Sequence, residues 1–225
     1  MSPAPERVLI ADKPGTPQTT LLVTQVWVQR SDPDYEKLEV MDQILGGMFS
    51  SRVNMNLREQ HGYTYGAFST VPENRQPGPY TIGAGVRTDV TGPSVKEILK
   101  EVDGMLGAPV TADELQRAKE SISRTLPAYF QSTASTAGTF GQLYLLDLPP
   151  DYYQGLPARL ESITTEQVAD AAKKHLRPAD MKVIAVGDRA KIERQLAALH
   201  LGPIGYRNLE GEPVRGDQQV KMPIP

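Results

Sequence analysis

Residues 45–68, LGGMFSSRVNMNLREQHGYTYGAF, constrain the fold of this 225-residue chain more tightly than any other stretch. Gly46-Gly47 reads as a helix stop, because glycine takes the left-handed conformation that a helix end uses. Ser50 or Ser51 can then cap a second helix by accepting a hydrogen bond from an orphan backbone N–H. Phe49, Val53 and Leu57 recur every four residues and predict its buried face. Gly62 should stop that helix, after which Tyr63, Tyr65 and Ala67 alternate with Thr64, Gly66 and Phe68 as in a strand. Arg58 thus falls in the last helical turn, where its charge suits the negative end of the helix dipole. Two phenols follow it on the next strand and are expected on one face.

The rest of the chain supplies strands in sequential pairs and helices in runs. Arg7–Ala11 and Thr20–Val28 are predicted strands joined by a Lys13-Pro14-Gly15 turn, the second central because it is apolar. Asp32 with Pro33 at the first helical position opens a helix with Leu38, Met41, Ile44 and Leu45 inward. Strands are predicted at Tyr63–Thr70 and Tyr80–Val86, separated by a polar loop. Val95, Ile98, Leu99, Val102 and Leu106 mark an amphipathic helix, and the box Thr111-x-x-Glu114 starts another that Pro127 should kink or end. Further helices are expected near Ser135–Leu146, Tyr152–Ser162 and Glu166–Leu176, the last opened by Thr164-x-x-Gln167. A short buried strand, Met181–Val186, precedes a helix at Ile192–Leu199. This order is not an alternating βαβ pattern, so an α+β fold is expected, with an antiparallel or mixed sheet and helices packed on one face. One domain is placed at 1–202 and a Pro/Gly-rich extended arm at 203–225.

Composition narrows the function classes. A net charge of −3, with lysines and arginines scattered, argues against nucleic acid as a partner. No stretch nears the ~18 apolar residues of a membrane span. The first residues, MSPAPERVLI, lack the charged and apolar regions of a signal peptide, and the absence of cysteine excludes disulfides while fitting either redox compartment. Among the three histidines, His61, His175 and His200, none has a second four residues away. Zinc needs about three protein ligands. His61 after Glu59 is half a motif, read as a polar residue beside Gly62.

The 45–68 segment resembles the second-domain signature of the M16 metallopeptidases, the insulinase, pitrilysin and mitochondrial-processing-peptidase group, in which the pattern is close to LGG-x-FSSRL-N-x-x-LRE-x-x-G-x-x-Y. The similarity runs from about Arg7 to about Pro213 and takes in DKPGTPQT at Asp12–Thr19 and VIAVGDRAKIE at Val183–Glu193. The resemblance implies a non-catalytic half-subunit of the processing-peptidase type, either an excised second domain or a free-standing small protein. It also implies that an arginine and a tyrosine seven positions later reach the active site of a partner. Here the spacing selects Arg58 and Tyr65, with Tyr63 the less favoured phenol. The family's zinc, held by an inverted H-x-x-E-H motif, is expected in the partner catalytic domain or subunit and not in this chain. Unfolded peptide is the implied substrate, and a homodimer is a further possible association.

Other residues have plainer readings. Gly83-Ala84-Gly85 lies inside a strand without the Gly-Lys-Ser/Thr of a phosphate loop, so close backbone packing is expected. Asp113, Glu114 and Glu120 read as a solvated helix face, Trp27 as core or rim packing, and Tyr144, Tyr152 and Tyr153 as packing rather than a chamber wall. For Arg58 the plain reading is a bond to helix-end carbonyls, and for Tyr65 an ordinary strand position. Two functions remain: the non-catalytic half of a zinc endopeptidase, or a structural, assembly or peptide-binding module of the same fold.

Overall fold

The computed structural model describes residues 6–215. Seven strands form one mixed sheet: β1 (Val8–Asp12), β2 (Gln18–Trp27), β3 (Thr64–Thr70), β4 (Gly78–Arg87), β5 (Lys182–Gly187), β6 (Ile204–Arg207) and β7 (Pro213–Val214), in spatial order β3-β4-β2-β5-β1-β6-β7. β2 runs antiparallel to β4 and β5, whereas β1 runs parallel to β5 and β6. The helices are α1 (Tyr35–Asp42), α2 (Arg52–Asn54), α3 (Thr91–Gly107), α4 (Ala112–Thr125), α5 (Thr133–Leu145), α6 (Tyr152–Ser162), α7 (Thr165–His175) and α8 (Arg189–Ala197). Alternate β2 residues, Leu21, Val23 and Trp27, are buried beneath helices together with Tyr80, Ile82 and Val86 of β4. Their neighbours Gln18, Thr20 and Val26 are exposed, so the sheet has one covered and one open face.

Local signals set most helix boundaries. Thr111 and Glu114 form the expected capping box, as do Thr164 and Gln167, and Pro127 sits in a 3₁₀ turn, Leu126–Phe130, that follows α4. A third box joins Ser132 and Ser135 at the start of α5.

Several expectations fail where tertiary packing decides. The turn after β1 does not close a hairpin, because β5 lies between β1 and β2. The Gly15 N–H donates to Asp188 beyond the end of β5, which carries the link across that strand. Gly46-Gly47 is not a left-handed stop: both glycines belong to a π turn, Gln43–Gly47, that continues α1. Glycine is needed at 46 for space, since a Cβ there would lie 2.4 Å from Ser69 Oγ on β3. Ser51 takes the N-cap position of α2 but its hydroxyl makes no cap bond. Val53 and Leu57 are fully buried, whereas Phe49 is exposed. The stretch from 203, expected as an arm, pairs into the sheet edge as β6 and β7 as far as Val214, and residues 216–225 lie outside the described part.

Candidate functional site

Arg58 belongs to the π turn Met55–Gln60 that extends α2, held down by buried Asn56 and Leu57. The helix-end carbonyls are met by backbone: His61 N–H donates to Asn56 C=O at 3.1 Å and Gly62 N–H to Arg58 C=O at 3.1 Å. The guanidinium is therefore not needed as a cap. It lies over the Phe49 ring, 4.7 Å from the centroid, with Glu59 at 3.2 Å as its only charge partner among the described residues. Exposed Phe49 thereby acquires a reason that its spacing alone hid.

Gly62, at φ +63°, reverses the chain into β3. Tyr63 is half-buried against the core, stacks on His61 with ring centroids 4.9 Å apart, and donates its N–H to Leu57 C=O at 2.8 Å. Tyr65 is 89% exposed. The strict alternation read from the sequence breaks here. Thr64 pairs with Val86 and Ala67 with Ala84, so two residues of β3 oppose Gly85 alone in a β-bulge. Tyr65 consequently faces solvent while Ala67 is buried, and the two do not share a face.

Arg58, Tyr63 and Tyr65 line one open cleft of about 1160 Å³. Its other walls include Thr16–Gln18 before and at the start of β2, Gly85 and Arg87 at the end of β4, and Lys191 and Gln195 of α8. Arg87 secures the wall: it donates to Gly62 C=O at 3.1 Å and makes a two-point ion pair with Asp89, which draws the Asp89 carboxyl below its ordinary range. A phenol and a guanidinium facing one space are hydrogen-bond donors suited to carbonyl oxygens and to developing negative charge. Sequence reasoning singled out both groups but passed over Arg87 and Arg52, the latter a two-point partner of Glu114 at 2.7 and 2.9 Å that ties α2 to the cap of α4.

Among the described residues one cluster has metal-ligand chemistry, Asp32, Asp34 and His175. Its donors are already committed. Asp34 accepts from Lys174 at 2.7 Å, Lys37 at 2.8 Å and His175 at 3.1 Å, and these bonds pull its carboxyl far below the usual range. Asp32 accepts the Asp34 N–H. The set closes the start of α1 onto the end of α7, with Asp34 taken up by two lysines and His175 and Asp32 by a backbone N–H.

The remaining candidates are structural except Tyr144, which is 84% exposed and does not pack as expected. Gly83 lies under the Phe68 ring, where a Cβ would come within 2.7 Å. Trp27 is buried and stacks on Tyr80 at 4.5 Å. Tyr152 is buried, while Tyr144 is exposed.

Comparison with known proteins bears on the family and the fold. The chain is 24% identical over 163 residues to the non-peptidase homolog YmxG of Helicobacter pylori, covering 70% of this chain and 37% of that protein. It is 23% identical over 158 residues to an uncharacterized zinc protease of Streptomyces coelicolor, covering 70% of this chain and 34% of the other. The chain thus spans about a third of the length of these curated relatives. The crystal structure of a peptidase M16 inactive domain from Pseudomonas fluorescens superposes with a TM-score of 0.73 at 29% identity, over 80% of this chain and 43% of that one. The family model of the peptidase M16 inactive domain matches residues 2–122, more than half of the sequence and the whole of the cleft-forming hinge, and the chain belongs to that family.

Proposed function

We propose that this chain is the non-catalytic half of an M16-type zinc endopeptidase, closing a chamber over unfolded peptide and presenting Arg58 and Tyr65 to the active site of an H-x-x-E-H partner domain or subunit. The observation that carries this reading is the convergence of a helix-borne guanidinium and a strand-borne phenol on one open cleft, neither consumed by the fold. Zinc, when held by an H-x-x-E-H motif in such a partner, would provide an activated water for attack on the peptide carbonyl. Tyr65 donates its O–H to the oxygen that gains charge, and Arg58 holds backbone carbonyls of the peptide. Tyr63, stacked and half-buried, serves the turn.

The test is a peptidase reconstituted from this chain and its H-x-x-E-H partner. Tyr65→Phe should lower kcat on the order of 100-fold, the usual cost of one oxyanion donor. Arg58→Ala should also raise KM, because a substrate clamp contributes to ground-state binding. Tyr63→Phe should be milder. Full activity in both Tyr65→Phe and Arg58→Ala would leave these residues structural and favour the second reading, an assembly or peptide-binding module, which has the naming of YmxG as a non-peptidase homolog in its support.

A further inference from the structure

Tyr65 owes its place to an irregularity, and the irregularity has its own fastening. In a regular ladder beginning at the Thr64–Val86 pair, Gly66 would oppose Ala84 and Phe68 would turn toward the helices. The extra residue at 65–66 lets Ala67 and Ser69 take the covered face instead, where the Ser69 hydroxyl meets the Asp42 carboxylate. Such a bulge leaves backbone groups of the extra residue unpaired with the neighbouring strand. In this chain one hydroxyl gathers them. Thr64 Oγ1 accepts the Gly66 N–H at 3.1 Å, and its own proton faces two carbonyls, Gly66 at 2.8 Å and Gly85 of β4 at 2.7 Å. The far side of the bulge is pinned as well. The Ala67 N–H donates to Asn54 Oδ1 at 2.9 Å, and Asn54 Nδ2 donates to Phe49 C=O at 2.6 Å. Asn54 is buried and lies four residues before Arg58, so the same amide ties the Tyr65 strand to the Arg58 helix.

We propose that Thr64 is a positioning residue for Tyr65: its hydroxyl holds the β-bulge that aims the phenol into the cleft, with Asn54 fixing the other end. The proposal rests on the role given above to Tyr65. Thr64 also lines the cleft, but its hydroxyl is occupied by the bulge. Its effect therefore passes through Tyr65. Serine retains the hydroxyl, whereas valine keeps the shape and β preference and removes it.

The experiment compares Thr64→Val, Thr64→Ser, Tyr65→Phe and the double variant Thr64→Val/Tyr65→Phe. Each is assayed as the full chain in the peptidase reconstituted with its H-x-x-E-H partner, and each isolated chain is followed by amide hydrogen exchange. Thr64→Val should lower kcat about five- to tenfold at unchanged KM, the weight of one net hydrogen bond on the population of the aimed state. Gly66 should lose amide protection in the same variant. Thr64→Ser should restore both. The double variant should be no slower than Tyr65→Phe alone, an outcome that a merely structural role would not produce. Wild-type kcat in Thr64→Val alongside an impaired Tyr65→Phe overturns the positioning role alone. A double variant whose losses multiply, or a Thr64→Ser as slow as Thr64→Val, overturns it as well. Wild-type activity in Tyr65→Phe overturns the reading beneath it. Should Thr64→Val unfold, the Thr64→Ala variant replaces it under the same criteria.

Discussion

Arg30 and Tyr152, near the Trp27 end of β2, are in direct contact, whereas no hydrogen bond among the described residues joins Arg58 to Tyr65 at the Gln18 end. β2 has ten residues, so about 30 Å of strand separates the two arginine–tyrosine pairs. Arg30 is buried, donates to the Tyr152 hydroxyl at 2.5 Å, and lies 4.0 Å from the Tyr35 ring centroid and 4.8 Å from that of Tyr152. The Tyr152 hydroxyl in turn donates to Glu36 at 2.9 Å, and Glu36 accepts from Arg159 at 2.8 Å. Burial, against the opposing pull of Arg30, pushes the Tyr152 phenol up to about 12. The members of that set are joined to one another, Arg30 to Tyr152, Tyr152 to Glu36 and Glu36 to Arg159. At the opposite end the guanidinium has an exposed ring and one exposed carboxylate beside it, and the phenol stands in solvent. The same two residue types are a clamp holding α1 to α6 beyond the end of β2 in one place, and in the other two exposed side chains on one cleft, where the proposed function puts an incoming peptide.

The contrast breaks first if the buried pair proves dispensable. Arg30→Met keeps an unbranched stem and deletes the charge, leaving the Tyr152 hydroxyl without its donor while Glu36 keeps Tyr152 and Arg159. The expected loss is about 2.5 kcal/mol, within the range for a buried hydrogen bond made by a charged group. Denaturant unfolding of the full chain measures it. A loss under about 1 kcal/mol, the worth of an exposed pair, would place Arg30 in the same class as Arg58.

A second measurement asks how much buried charge the hinge end tolerates. Asp42, at the end of α1, is buried against β3 and hydrogen-bonded by Ser69. Burial raises its carboxyl from 3.8 to about 6, outweighing the bond from Ser69. The folded chain therefore keeps a proton between about pH 4 and pH 6 that the unfolded chain has released. The associated stability is present in full below the lower value and is lost as pH rises through the upper one. Asp42→Asn keeps an acceptor for Ser69 and has no charge to bury. At pH 8 it should be more stable than the parent by about 2 kcal/mol, with a flatter dependence between pH 4 and 6. Equal slopes in parent and variant over that window would remove Asp42 as the source.

Much of this architecture was legible in the sequence because it is local. The capping boxes at Thr111 and Thr164 are contacts between residues three apart, and Gly62 stands where a left-handed residue was expected. Arg58 and Tyr65 were singled out through the family resemblance, by a seven-residue spacing, and their lining of one cleft needs only the short turn between them. Features that depend on distant chain were hidden. The insertion of β5 between β1 and β2 joins residues about 170 positions apart, and the Arg30–Tyr152 bond spans 122. Gly46 looked like a stop because its real constraint, the approach of Ser69, comes from another element. The bulge at 65–66 was hidden for the same reason: alternation is the default, and only the packing of Ala67 and Ser69 against the hinge overrides it.

The smallest expected effect is the sharpest form of the comparison. If Arg58 and Tyr65 do nothing for the fold, Arg58→Ala and Tyr65→Phe should each change unfolding free energy by no more than about 0.5 kcal/mol, the usual range for surface substitutions away from special features. Arg58 has one specific risk, since its guanidinium covers part of the Phe49 ring. That ring is already 65% exposed, so uncovering it returns little further apolar surface to water. Glu59, the other neighbour, is exposed enough to keep its hydration without a partner. The change should thus be nearly silent in thermal or denaturant unfolding of the isolated chain, while the same substitution raises KM in the reconstituted peptidase. A destabilisation above about 1 kcal/mol would mean that the Phe49–Arg58 contact is a fastening of the hinge. The two arginine–tyrosine pairs would then differ in exposure and no longer in kind.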